Sequence, residues 1–327
     1  MDKIAFPYRS NTHLPLLHVI AESGSWEKYG LEVEYNRKIS SSDSHVAVLR
    51  GDVEFVGGNH VSTYGHRARG DEWVYLGQTV NTVTRQLVVR ADSGINGVTD
   101  LREKLVGSRG SHPKLNDWLH LKQRGLDVDR DDVKIIDQLP TSGDSLDPTN
   151  PRAEDDTEPL WHWVRDRKVD AAFLTPPASI FARRAGLKVI DVEALPMIYF
   201  TSISSSLKFV EKNTDIVDRF LKGTIEGIHF FKTQPEKATK IIQALYKLEG
   251  KLDEEAAKLT YSDLAGRLEP KLYPTMAAIT NVYEQALRQD QDAKRVNPME
   301  LWDLHFIRRL DDMGFIDQLY GDRKSGG

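Results

Sequence analysis

The sequence predicts an α/β protein of two similar lobes with a helical C-terminal part, and three observations lead there. One stretch occurs twice. The first copy runs Val48-Leu49-Arg50-Gly51-Asp52-Val53-Glu54-Phe55-Val56-Gly57-Gly58-Asn59-His60 and on to Arg69-Gly70. The second runs Val164-Arg165-Asp166-Arg167-Lys168-Val169-Asp170-Ala171-Ala172-Phe173-Leu174-Thr175-Pro176-Pro177 and on to Ala185-Gly186. Each copy reads as a helix end, a short acidic turn, a buried strand, a polar or Pro-rich loop, and a helix stopping at Gly. Strands and helices alternate before and between the copies, and beyond residue 205 the apolar residues keep helical spacing.

In chain order, residues 3–7 form a strand broken by Pro7 and the polar loop from Tyr8 to His13. Leu14 to Ser23 is a helix with Leu16, Leu17 and Ile20 on one side and Gly24 as its stop. A short turn at Trp26–Gly30 precedes the alternating strand Leu31–Tyr35. Ser40 to Asp43 offer N-caps for a helix through Arg50, and the first copy follows. Gln86–Arg90 is a strand that carries the chain out of the first lobe. A turn at Val98–Leu101, a strand at Lys104–Gly107, a Gly/Ser loop at Ser108–His112, a helix at Lys114–Arg124 and a strand at Val133–Ile136 come next. Residues 141–159 are acidic, Pro-rich and aperiodic, an irregular surface insertion. After the second copy, Ile198–Ile203 returns the chain to the first lobe. The boundaries expected are 1–86 with 201–327 for lobe 1 and 87–200 for lobe 2.

In the last third, Ile216, Val217, Phe220, Leu221, Ile225, Ile228 and Phe231 share a helix face capped by Asn213 or Thr214. Thr233-Gln234-Pro235-Glu236 fits a capping box. Ala256–Leu264, Thr275–Leu287 and Pro298–Met313 are further helices.

The 327 residues are 39% hydrophobic and 28% charged, with a net charge of −5 and no cysteine. That size accommodates two α/β domains. The acidic balance argues against nucleic acid as a partner. No apolar run approaches the roughly 18 residues of a membrane span, so no membrane insertion is expected. Without cysteine there are no disulfides, thiolate metal sites or Cys nucleophiles. Met1-Asp2-Lys3 leads directly into the first strand with no apolar leader. The expectation is a cytoplasmic protein, or a periplasmic one if a leader has been removed.

The order of elements resembles the type II periplasmic-binding-protein fold, in its branch for nitrate, sulfonate and thiamine-precursor binding proteins. The resemblance rests on His18-Val19-Ile20-Ala21-Glu22-Ser23-Gly24 with Tyr29-Gly30-Leu31-Glu32-Val33, and on Leu49 to Phe55. It continues through Gly97-Val98-Thr99-Asp100-Leu101, Lys168 to Phe173, and Phe209-Val210-Glu211-Lys212-Asn213 through Pro235-Glu236-Lys237-Ala238. The same branch includes aryl-sulfinate desulfinase and pyrimidine-precursor synthase enzymes, and a dihydroxyphthalate decarboxylase group is similar in general outline. The desulfinase nucleophile is a Cys in the first strand-end loop, where this chain has Ser10, Asn11 and Thr12. The catalytic His of that enzyme falls near His45. The synthase uses a His in a segment similar to His60-Val61-Ser62 through Ala68-Arg69-Gly70, and its Cys-rich motif is missing here.

The fold implies strand-end loops facing one another across an inter-lobe cleft, because ligands in open α/β sheets bind at the carboxyl ends of strands. Those loops carry Tyr8 together with the substrate-binding candidates Arg9, Asn11, His13, Ser41, Ser42, Asn59, Thr84, Arg85, Arg109, Thr175 and Tyr199. The catalytic candidates are His60, His112 and His45. Arg and His concentrated in an acidic chain suggest a small anionic ligand, since guanidinium binds carboxylate, sulfonate or phosphate through paired hydrogen bonds. Each residue also has a plainer reading: Arg9 as a surface charge, His45 as a first-turn helix residue, His60 as a satisfied loop histidine. His18, Trp118, Trp161 and Trp163 read as structural, and Arg67 and Arg69 as solvated helix-end charges interacting with the dipole. No ligand spacing supports a metal, and no cofactor is expected.

Two functions fit. One is a cofactor-independent lyase of decarboxylase type acting on a small, aromatic or aliphatic, acid, with Arg9 and Arg109 holding the acid group and His60 or His112 protonating the product. The other is the solute-binding component of an ABC transporter, with a permease partner and no catalysis. Several histidines beside the arginines favour the first.

Overall fold

Residues 1–108, 113–128, 130–137, 158–176, 178–245, 247–248 and 251–321 are described by the structure, a computed structural model. Two units emerge. Unit 1 is Met1–Val83 with Pro196–Gly327, and unit 2 is Thr84–Leu195. The crossovers precede those expected because Gln86 already pairs with Leu174 and Asp191 in the sheet of unit 2. Arg109, His112 and residues 141–157 of the acidic segment lie outside the described residues.

The N-terminal part of unit 1 contains β1 (Asp2–Ala5), α1 (Leu14–Glu22), β2 (Leu31–Glu34), α2 (Ser41–Arg50), β3 (Val56–Gly57), α3 (Ser62–Ala68) and β4 (Trp73–Val83). Unit 2 follows with β5 (Gln86–Val89), β6 (Leu105–Gly107), α4 (Pro113–Gln123), β7 (Lys134–Ile136), α5 (Leu160–Arg165), β8 (Ala171–Leu174), α6 (Ala178–Arg184) and β9 (Lys188–Asp191). The chain returns along β10 (Leu195–Ser206). Next come α7 (Leu207–Lys212), α8 (Thr214–Thr233), α9 (Pro235–Gln243), the short pair β11 (Lys247–Leu248) and β12 (Lys251–Leu252), α10 (Glu254–Arg267), α11 (Met276–Gln289), α12 (His305–Asp312) and α13 (Phe315–Leu319). No helix among the described residues is long and apolar enough to cross a membrane.

In unit 2 the strand order is β7-β6-β8-β5-β9, with β6 parallel to β7 and β8, and β5 antiparallel to β8 and β9. Val88 packs on one face of the sheet and Leu87 and Val89 on the other, so this central strand is apolar throughout. In unit 1, β2 pairs with β1 in parallel, and β10 joins β3 to β4. Tyr8 carries the line of β1 onward by parallel bridges to Lys38 and Gly57. The amides of Phe55 and Gly57 bond the carbonyls of Ala5 and Pro7. The resulting order β2-β1-β3-β10-β4 matches that of unit 2, which is the duplication visible in the sequence.

Strand β3 is short because its neighbours on β10 are hydroxyl residues. Ser204 Oγ bonds the Val56 carbonyl at 3.0 Å and Ser205 Oγ the Glu54 carbonyl at 2.6 Å. Side chains thus do work that a longer ladder would do, as buried backbone acceptors require. Gln78 on β4 is fully buried and donates to the Tyr199 carbonyl at 2.7 Å.

The core of unit 1 forms where α8 meets α1. Val217, Phe220, Leu221, Ile225, Ile228 and Phe231 are buried at helical spacing. Phe220 stacks on Phe55 at 4.1 Å and on Trp26 at 5.7 Å, and meets Phe6 edge-on at 5.0 Å. Each such pair adds about 0.5–1.5 kcal/mol beyond its buried area. Two glycines on α8 let α1 and the turn after it approach. A Cβ on Gly223 would lie 2.7 Å from Trp26, and one on Gly227 would lie 2.6 Å from Ile20.

Two local expectations need correction. The single helix expected over Pro298–Met313 is interrupted: Pro298–Leu301 is a 3₁₀ turn, and Trp302 is extended (φ −105°, ψ 113°) to bridge Tyr75. The capping box at Thr233 does not form, because Thr233 Oγ1 turns back to the His229 carbonyl at 2.8 Å and Gln234 caps without a side-chain bond.

Gly227→Ala is predicted to destabilise unit 1 by about 1–3 kcal/mol, the usual overpacking cost, despite the better helix propensity of Ala. Urea unfolding checks this, and unchanged or increased stability would contradict the close α1–α8 packing.

Candidate functional site

Because β1, β2 and β3 run parallel, the loops after them leave the same edge of the unit 1 sheet. These loops are Tyr8 to His13, the approach to α2, and Gly58 to Val61. Ser40 caps α2 by accepting from the Asp43 amide, and Ser10 accepts from the Thr12 amide ahead of α1. Helix N-termini therefore point at this edge and make it electropositive.

Asn59 sits at the centre. It is buried and holds φ at +67°, a left-handed conformation that Asn tolerates better than most residues. Its Oδ1 accepts from Arg9 Nε at 2.8 Å and from Ser41 Oγ at 2.9 Å, while its Nδ2 donates to Ser44 Oγ at 2.6 Å. Its backbone carbonyl accepts from Tyr75 Oη at 2.5 Å and Thr63 Oγ1 at 2.8 Å. Arg9 also donates to the Ile39 carbonyl at 2.6 Å, so the guanidinium is fixed from two sides. Gly58 (φ +118°) lies flush against it, and a Cβ there would stand 2.6 Å from Arg9 Cγ and 3.3 Å from His13 Cε1.

The histidines divide by environment. His13 is 4% exposed, stacks on Phe200 at 5.1 Å and meets Thr201 Oγ1 at 3.2 Å. Burial, with smaller contributions from His60 and Arg9, pushes its pKa down to about 3. His45 is also buried, with its ring against His66 (4.0 Å) and Trp73 (4.6 Å). Its Nε2 meets Ser62 Oγ at 3.2 Å, and burial followed by His66, Arg9 and Arg69 lowers it to about 3. Both rings are neutral at physiological pH. His60 is half-buried and acts electrostatically on His13.

The structure thus gathers Arg9, His13, Ser41, His45, Asn59 and His60 at one edge of unit 1. Asn11 and Ser42 are exposed beside it. Tyr199 packs against the hydrophobic core of unit 1 instead. In unit 2, Thr84 precedes β5, and Thr175 follows β8 with its carbonyl accepting from the Ser179 amide. Arg85 is paired internally: its Nη1 lies 2.9 Å from Asp117 Oδ1, and the Asp117 side chain is 1% exposed. Burial raises the Asp117 pKa, opposed by Arg85. Arg85 was expected as an anion anchor, yet it already has a carboxylate from α4.

Of the residues read as structural, His18 bonds Tyr35 at 2.7 Å. Arg69, expected to be solvated, pairs with Asp290 at 2.7 Å and Asp292 at 3.1 Å. Sequence reasoning missed Ser44, Ser62, Thr63, Tyr75, His66 and Asp71. The run of hydroxyl residues from Ser40 to Ser44 is the one available signal; it yields the cap and the candidates Ser41 and Ser42 but not Ser44.

An open depression of about 530 Å³ along β1 and β2 is lined by Glu32, Glu34, Asp52 and Glu54 with Lys3. Its charge disfavours an anion, unlike that of the strand-end edge.

A family model described as NMT1/THI5 like matches residues 11–238. No curated protein matches the chain significantly. Among solved structures, a sulfonate ABC transporter periplasmic sulfonate-binding protein, SsuA from Methylobacillus flagellatus KT, is similar with a TM-score of 0.68 and 15% identity, over 96% of this chain and 95% of that one. The periplasmic aliphatic sulphonate binding protein SsuA from Escherichia coli gives 0.64 and 16%, over 92% and 99%. A Cys-to-Ser mutant of the desulfurization enzyme DSZB, in complex with biphenyl-2-sulfinic acid, gives 0.65 and 17%, over 96% and 100%. The likeness shows the two-lobed fold of periplasmic binding proteins.

Two outcomes follow from this geometry. Native His13 stays neutral to about pH 3, whereas in the unfolded chain it protonates near 6.5. The unfolded state binds more protons in that window, so stability falls as pH drops through 6.5 towards 3, by about 2 kcal/mol at pH 5. Urea midpoints at pH 7 and 5 measure the loss, and His13→Gln should reduce it; an unchanged pH dependence would contradict the buried, neutral assignment. Asn59→Ala should cost roughly 2–4 kcal/mol, from an unsatisfied buried network and the positive φ. A loss under about 0.5 kcal/mol would remove Asn59 as the organising residue.

Proposed function

This chain belongs to the NMT1/THI5-like family, and on that premise we propose that it binds a small organic oxyanion, a sulfonate or carboxylate, at the strand-end edge of unit 1. Arg9 supplies the charge, Ser41 and the N-terminal end of α2 supply donors, and Asn59 holds them in place. The observation that carries the reading is the two-sided fixation of Arg9 by Asn59 Oδ1 and the Ile39 carbonyl. A guanidinium held in one geometry loses less entropy on meeting a planar or trigonal oxyanion. The ligands named for the similar structures are sulfonates and a sulfinic acid, oxyanions of sulfur.

The role proposed is delivery of that anion to an ABC permease, without chemistry, which places the protein outside the cytoplasmic membrane. A decarboxylase-type lyase in the cytosol is the second reading, and one observation favours it: His60 stands close enough to His13 to act on it electrostatically, as Arg9 does. It has less support otherwise. His45 is neutral and wedged against Trp73 and His66, and the chain has no cysteine for sulfinate chemistry of the nucleophilic kind.

Calorimetric titration with alkanesulfonates, arylsulfinates and aromatic carboxylates, followed by mass spectrometry of the recovered ligand, tests both. The expected result is saturable binding of an unaltered ligand, weakened roughly 10- to 100-fold by Arg9→Gln, the equivalent of one charge-assisted hydrogen bond. Binding indifferent to Arg9→Gln would contradict the site. A ligand lighter by CO₂ or SO₂, with the loss abolished in His60→Ala, would establish the lyase.

A further inference from the structure

Behind the strand-end edge, three side chains converge that the proposed anion binding does not use. His45 comes from α2, His66 from the last turn of α3, and Asp71 from the turn leading into β4. One ligand-capable atom of each lies within 4.8 Å of the other two. The imidazoles are stacked with centroids 4.0 Å apart and planes 22° from parallel, and His66 Nδ1 lies 2.9 Å from Asp71 Oδ2. We propose that His45, His66 and Asp71 form a site for one divalent transition-metal ion of the zinc class, with a remaining position open to water.

The donor set decides the class of ion. Two imidazoles and one carboxylate suit zinc and its neighbours, which take nitrogen and oxygen together at about 2.0–2.2 Å and commonly use three protein ligands plus water. Magnesium and calcium prefer all-oxygen shells and would not select this trio.

Independent of the clustering, His45 carries a polar atom that needs a partner. Its Nε2 is engaged by Ser62 Oγ at 3.2 Å, whereas its Nδ1 is buried with no hydrogen-bond partner among the described residues. The residue is 2% exposed, so water does not readily satisfy that atom. A histidine oriented through one nitrogen by a hydroxyl, with the other nitrogen waiting, is the arrangement of a metal-bound imidazole and its supporting partner.

Access and charge also permit an ion. The side chains of His66 and Asp71 are 37% and 32% exposed, open enough for entry and for the rotation that draws the three donors to coordinating distance. Of the cations around it, Arg67 donates to the Asp71 carbonyl at 3.3 Å, and Arg69 is balanced by Asp290 and Asp292. Ser62 also lies 3.4 Å from Ser41, which bonds Asn59, so the site adjoins the anion-binding edge without sharing a ligand with it.

The test uses untagged full-length protein stripped with chelator. ZnCl₂ is titrated calorimetrically, and CoCl₂ is added separately to read coordination from visible absorption. The expected result is one ion per chain, a cobalt spectrum of low-coordinate N/O type, and a zinc-dependent rise in melting temperature. His66→Ala and Asp71→Ala, both at partly exposed positions, should each weaken zinc at least tenfold and abolish the rise while leaving the circular dichroism unchanged. Absence of saturable one-to-one binding would overturn the proposal, as would binding that persists at full affinity in both variants. The readout is independent of any anion ligand, so the outcome stands whether or not the anion reading holds.

Discussion

Asn59 is the residue through which the local order of unit 1 passes. Its amide receives Arg9 and Ser41 and gives to Ser44, while its carbonyl receives Tyr75 and Thr63. Segments following β1, within α2, within α3, and within β4 all end on this one side chain or its peptide. Few residues could take its place. The left-handed backbone disfavours β-branched and bulky side chains, and the network requires an acceptor and a donor on one short stem. Asp would offer acceptors only, and Gly would keep the conformation while losing every side-chain bond.

The polar interior of the sheet has a related cause. In unit 1 the central strand β10 carries buried Thr201, Ser202, Ser204 and Ser205: Ser204 and Ser205 donate to the carbonyls of Val56 and Glu54, Ser202 donates to Gln78 Oε1 on β4, and the Thr201 carbonyl accepts from Thr79 Oγ1. Freed from a long ladder, β3 ends early at Gly57, and the chain can turn through Gly58 and Asn59 to meet Arg9. In unit 2 the same strand order is built from Leu87, Val88 and Val89, and β8 there spans four residues. The same architecture thus gives a polar, hub-centred strand end in one unit. In the other it gives a buried Arg85–Asp117 pair, where removal of either partner would leave an uncompensated charge.

Much of the fold was legible in the sequence for physical reasons. The duplicated αβα unit survives as equal strand orders because a buried strand and its flanking helices impose their periodicities on the chain. The apolar face of α8 and the cap at Ser40 were readable in the same way. What escaped depends on partners distant in sequence. Arg85 looked like an anchor because nothing local announces Asp117. His45 looked like a reactive base because its burial comes from Trp73 and His66. Trp302 broke an apparently continuous helix because Tyr75 offered it a bridge. The candidate site is legible as a set of loops, but its organisation around Asn59 is not, since four of the five bonds involve serine, threonine and tyrosine hydroxyls that carry no pattern. Arg109 and His112 remain expectations.

The proposed anion binding rests on a guanidinium held at a helix-rich strand end. The most direct measurement is therefore nitrogen-15 NMR of the side-chain resonances of Arg9 and Asn59 while an alkanesulfonate is titrated into the protein. The Arg9 Nε–H and the Asn59 amide signals are expected to shift together and saturate with one dissociation constant. Saturable binding that leaves both signals in place, while other arginines respond, would contradict the proposed site.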